Sequence, residues 1–143
     1  MLMNCVCFAY ADNTEEQLIE YYPDGSYYIV TISSHTSFTS FLQTRGTKTE
    51  TKNGSHYNSN GSIAWKASIT ATFTYNGTSA SCTDVSKSTT IYDSAWKCTS
   101  SSCSKSGATA TGNFTFKRYV LLVPVQTVNK TLTLTCDKNG NVS

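Results

Sequence analysis

The chain has 143 residues, a formal net charge of +2 and 14% charged residues, with Ser and Thr abundant throughout. That length suits one domain with a real hydrophobic core. The absence of a Lys/Arg stripe argues against a nucleic-acid surface, two prolines are too few for a mucin-like stalk, and no stretch is long and apolar enough to span a membrane as a helix.

Leu2 to Phe8 is apolar apart from Asn4, and Ala9-Tyr10-Ala11 gives an A-x-A site followed by polar Asp12-Asn13. Residues 1–11 therefore read as the end of a truncated secretory signal peptide, leaving 12–143 as a single domain. The alternative is an ordinary N-terminal strand. Export would remove Cys5 and Cys7 and leave Cys82, Cys98, Cys103 and Cys136, an even number suited to an oxidising compartment. Their spacing is a poor zinc pattern, so no metal is expected.

Asp12 to Glu20 reads as an acidic lead-in or one helical turn. Pro23-Asp24-Gly25 sits between tyrosines as a turn, and Tyr27 to Ser33 reads as a strand near the sheet centre. Phe38 to Leu42 begins a further strand. Arg45 to Lys52 alternates Thr with charge and suits a sheet edge. Asn58-Ser59-Asn60-Gly61 then turns into the organising strand.

From Ile63 to Tyr75 apolar residues fall on every second position, the signature of a half-buried strand. Asn76-Gly77 signals a hairpin. A two-residue loop would pair Tyr75 with Thr78, Phe73 with Ala80 and Ala71 with Cys82, pointing Cys82 into the core. Ser86 to Tyr92, Ala108 to Lys117 and Thr127 to Cys136 complete the predicted strands. Asp137 to Asn141 reads as a terminal turn, not a calcium loop, since no bidentate Glu follows. Short strands, frequent turns and no long helix predict an all-β antiparallel sandwich, immunoglobulin-like in the broad sense.

Parity predicts a Cys82–Cys136 disulfide, and spacing a local Cys98–Cys103 bridge around a Thr99–Ser102 loop. Trp65 should be buried and Trp96 more exposed beside that loop. Around Leu121-Leu122-Val123-Pro124-Val125, Phe114 and Phe116 must pair with even positions such as Val128 and Leu132, which calls for an odd loop. The apolar tip either folds back to cap the core or projects toward a partner, with Lys117 and Arg118 below it.

His35 and His56 are the only histidines. Each lies among Ser, Thr and Asn with no nucleophile elbow nearby, so neither reads as catalytic. Tyr92 and Trp96, with Leu121, Leu122 and Val123, are the candidate contact residues.

Asp24-Gly25-Ser26-Tyr27, Tyr57-Asn58-Ser59-Asn60-Gly61 through Trp65, Thr72 to Ala80, Trp96-Lys97 and Thr133-Leu134-Thr135-Cys136-Asp137 carry a resemblance. From about Tyr22 to Ser143 the chain resembles uncharacterised small secreted proteins of clostridia-like Gram-positive bacteria. The resemblance implies export and a β fold, and no activity; Cys98 and Cys103 are extra to its pattern. The leading expectation is a secreted binding or interaction protein without cofactor, engaging an extracellular protein, a glycan, or a membrane surface through the Leu121–Val125 tip. The alternatives are a small secreted hydrolase, or an inhibitor or toxin presenting the Cys98–Cys103 loop.

Overall fold

The computed structural model describes residues 7–11, 15–33 and 45–143, with side chains from Ile19 onward. His35 and the strand expected at Phe38–Leu42 lie outside the described residues. The strands are β1 (Cys7–Ala11), β2 (Glu15–Tyr21), β3 (Tyr27–Ser33), β4 (Gly46–Tyr57), β5 (Ile63–Tyr75), β6 (Ala80–Ile91), β7 (Trp96–Ser106), β8 (Thr109–Val120) and β9 (Val123–Thr135). They form two antiparallel sheets, ordered β1-β2-β3-β4-β5-β6 and β7-β8-β9. Every ladder joins strands adjacent in sequence. Both sheets are thus plain meanders among the described residues, without the Greek-key crossing of an immunoglobulin topology.

The alternation in β5 does what it predicts. Trp65, Ala67, Ile69, Ala71 and Phe73 are all buried on one face. Opposite them, β8 and β9 contribute Ala110, Phe114, Phe116, Val128, Leu132 and Leu134. Trp65 and Phe116 stack across the sheets with centroids 3.7 Å apart. At full burial each large side chain contributes about 1.5–3 kcal/mol, so this face holds the fold together.

Gly112 sets how closely the sheets approach. A Cβ there would lie 2.3 Å from Ile69 Cγ2. Gly112→Ala is therefore expected to destabilise the fold by about 1–3 kcal/mol through overpacking. Urea titration measures this, and trimming the obstacle with Ile69→Val in the same chain should recover part of the loss. No recovery would show that the contact does not set the spacing.

Several sequence expectations are corrected. Glu15–Tyr21 is strand β2, not a lead-in or helical turn, and Cys7–Ala11 pairs with it as β1. The Thr/Lys segment is not an edge: β4 lies between β3 and β5. Its even positions face inward, where Glu50 is buried with the Lys48 ammonium 3.1 Å away, and Lys52 Nζ donates to Thr133 O at 2.8 Å.

The β5–β6 register is Tyr75 with Ala80 and Phe73 with Cys82. Asn76 Oδ1 accepts from the N–H groups of Thr78 and Ser79, which stabilises a longer turn than Asn-Gly alone predicts. The shift is by two residues, so parity survives and Cys82 still points inward.

All four cysteines from Cys82 onward are free thiols. Cys98 and Cys103 lie on β7, facing Phe116 and Gly112 on β8. At the rise of an extended strand they are about 13 Å apart, beyond the roughly 7 Å Cα limit for a disulfide. The stretch they enclose is strand, so no presented loop exists there to support an inhibitor or toxin. Cys82 and Cys136 are buried, and burial pushes both thiols up. In the reduced native chain, a maleimide is expected to label Cys98 and Cys103 well before Cys82 and Cys136, which should react only on unfolding. Peptide mapping of a labelling time course checks this, and equal rates would contradict the burial.

Candidate functional site

Four turns gather at one end of the molecule: β2–β3, β4–β5, β6–β7 and β8–β9. Two features stand there, an apolar finger and a polar cavity.

The finger is the β8–β9 hairpin. Its turn is Leu121-Leu122, closed by a Val120–Val123 pair. A two-residue turn alone would pair odd with even. A bulge at Val125 restores the parity, since Tyr119 faces Pro124 while Arg118 faces Gln126 and Phe116 faces Val128. The expected odd loop is thus a two-residue turn plus a bulge. Leu121 and Leu122 have φ of 47° and 68°, values that turns normally give to Asn and Gly. In that region a Cβ costs roughly 1–2 kcal/mol per residue.

The finger does not cap the core. Leu121 and Leu122 are 92% and 91% exposed. Val120, Val123, Pro124 and Val125 are exposed with them, giving an unbroken apolar run. At its base stand Lys117, Arg118 and Lys97, whose ammonium lies 5.4 Å from the Tyr119 ring centre. Tyr92, in the neighbouring β6–β7 turn, is also exposed, with Lys66 Nζ 5.9 Å from its ring. Trp96 is the corrected member of the predicted set: it is buried, on the inner face of β7.

The cavity has a volume of about 280 Å³ and opens beside the base of the finger. Its mouth carries Asp24, Ser59, Asn60, Arg118 and Gln126, and its inner wall includes His56 and Trp96. The turns are built by their own side chains. Asp24 Oδ1 accepts from Ser26 N at 2.9 Å, Asn60 Oδ1 from Ser62 N at 2.9 Å and Asp93 Oδ1 from Ala95 N at 2.9 Å. Asn58 Nδ2 donates to Asp93 Oδ2 at 3.1 Å and ties two of the turns together.

Behind the wall lies an aromatic nest. His56 stacks on Trp65 at 5.1 Å and 3°, with Trp96 at 5.0 Å and Tyr22 at 5.5 Å. Tyr28 covers Gly54, where a Cβ would meet its hydroxyl. Burial drives the His56 pKa down to about 4, so the ring is neutral at neutral pH. Burial also pushes the Tyr22 and Tyr28 phenols up. Among the described residues, neither nitrogen of His56 has a hydrogen-bond partner, nor do the indole nitrogens of Trp65 and Trp96 or the Tyr28 hydroxyl.

Histidine and carboxylates do meet around this cavity, as a hydrolase would need. Ser26 Oγ, however, donates to Asp24 and not to His56, so no nucleophile–base relay is formed at this cavity among the described residues. Sequence reasoning weighed His56 only as a catalytic group and read Asp24 only as a turn residue, and it did not single out Asp93. The available signal for His56 was its even position on β4, cross-strand from Trp65.

Comparisons with protein-family models, curated proteins and solved structures give no match to this chain.

Proposed function

We propose that this protein is an exported binding module that attaches to anionic membrane surfaces through the β8–β9 finger. One observation carries the reading: two leucines are held almost fully exposed in a backbone conformation that disfavours them. Stability alone would favour Asn-Gly there and a polar tip, so an outside contact is the physical reason for keeping Leu-Leu. The charge pattern selects the contact. An apolar tip above Lys117, Arg118 and Lys97 lets the leucines enter the acyl boundary while the cations stay at the headgroups. Each cation near such a surface contributes about 1 kcal/mol.

Export is the expectation raised by the apolar Leu2–Phe8 run and the A-x-A site after it. In an exporting compartment Cys82 and Cys136 are the pair to close. Both are buried, and their N–H groups bond the neighbouring carbonyls of Gly107 and Ala108. Closure would pass two protons and two electrons to a disulfide donor.

Co-sedimentation with phosphatidylglycerol vesicles tests the reading. Binding is expected, weaker on phosphatidylcholine, reduced by salt, and lost in Leu121→Ser/Leu122→Ser at unchanged melting temperature. Equal binding by that variant would refute the finger. No vesicle binding by the native chain would return the exposed leucines to a protein partner.

A further inference from the structure

We propose that the cavity between Asp24, Arg118 and Trp96 binds a single neutral polyhydroxylated ring, a hexose or an inositol. The inference comes from the cavity's size and lining and is independent of the membrane reading. A volume of about 280 Å³ lies just below the usual range of ligand pockets, about 300 to 1,000 Å³. It suits one ring and not an oligosaccharide.

The lining excludes the other small ligand classes. Asp24 and Asp93 oppose an anion. Arg118 at the mouth opposes a bare cation, and no cluster of His, Cys, Asp or Glu among the described residues could hold a metal. The lining is too polar for an apolar guest. What remains is a ligand carrying donors and acceptors in equal measure. Hydroxyl groups give protons to carboxylates and amide oxygens, and take them from guanidinium and amide N–H groups.

The site is built and not a chance concavity. The Asp24 and Asp93 carboxylates are fixed by turn hydrogen bonds, and Asp24 Oδ2 has no protein partner among the described residues. The inner wall is backed by the buried rings of His56 and Trp96. Their ring nitrogens have no hydrogen-bond partner among the described residues and are closed off from the cavity itself.

The chain has two tryptophans, one in the cavity wall and one stacked on His56, so indole emission reports occupancy. The full chain is titrated with glucose, galactose, mannose, N-acetylglucosamine and myo-inositol. At least one ring is expected to give a saturable change. Its affinity should fall about tenfold in Asp24→Asn, which keeps the turn acceptor, and in Gln126→Ala, at unchanged melting temperature. Leu121→Ser/Leu122→Ser should bind the ring normally while losing vesicles, which separates this site from the finger.

The source of the ring is read in a second arm. Tighter binding to phosphatidylglycerol vesicles containing galactosyl-diacylglycerol than to plain ones, lost in Gln126→Ala, assigns a lipid headgroup. A response to free rings alone assigns a soluble or protein-borne glycan. Absence of a saturable response to all five rings overturns the proposal, as does a wild-type response in both cavity variants.

Discussion

Lowering the pH from 6.5 to 4 is expected to cost the fold about 2–3 kcal/mol through one residue, His56. Its pKa falls from 6.5 to about 4 on folding, chiefly because the ring is buried. A histidine with a depressed folded pKa contributes fully above its unfolded pKa. The contribution drains away as the pH falls from about 6.5 toward 4, because the unfolded chain takes up the proton first. The full shift is worth about 3 kcal/mol, trimmed somewhat by the polar cavity alongside. Charges facing the ring act in both directions: Asp24 and Glu20 raise its pKa and Lys130 lowers it. Asp24 itself is held low by Ser26, so its own loss belongs below about pH 3.8. Melting temperatures across pH 4–7.5 measure the effect. His56→Phe, which keeps an aromatic plate against Trp65, should flatten the curve between pH 4 and 6.5. An unchanged slope in that variant would place the acid sensitivity elsewhere.

Replacing the finger's turn by Leu121→Asn/Leu122→Gly should make the protein more stable and less functional at once. Both native residues sit at positive φ, and Asn-Gly adopts that conformation without the Cβ clash. Relief of about 1–2 kcal/mol per residue is partly offset by the extra freedom of glycine in the unfolded chain, about 0.5–1 kcal/mol. A net gain of about 1–3 kcal/mol should appear in urea titration, together with loss of co-sedimentation with anionic vesicles. A variant that melts lower would mean the leucines support the fold, and the strain argument would fall.

The sequence foretold the parts of this protein that depend on period and parity. Strand β5, the inward Cys82 and the even-with-even pairing of β8 and β9 follow from alternation, because a one-residue slip would turn a buried face outward. Pairings and partners that depend on other segments were less legible. Whether β4 is edge or centre depends on β1 to β3 pairing beyond it, and its inward Lys48, Glu50 and Lys52 conceal the burial. Trp96 read as exposed because the Cys98–Cys103 spacing suggested a loop where the chain continues as β7. The exposed leucines were visible, but not their backbone strain. The cavity was invisible for a simple reason: Asp24, the His56–Asn58 stretch, Asp93 and Arg118 come from four separate parts of the chain, and Arg118 joins the others only when the second sheet packs on the first.

The unbroken meander has a consequence for how the chain reaches this state. Each ladder pairs a strand with the next one along the chain, and most are closed by short turns. Loop-closure entropy is therefore low at almost every pairing step. Contact order falls below that of Greek-key sandwiches of similar size, whose distant strands must find one another first. Such a chain can zip up hairpin by hairpin as it emerges, with the β6–β7 turn acting as the fold line that brings the second sheet onto the first. Rapid refolding for an all-β protein follows, with the docking of the two sheets as its last and slowest event.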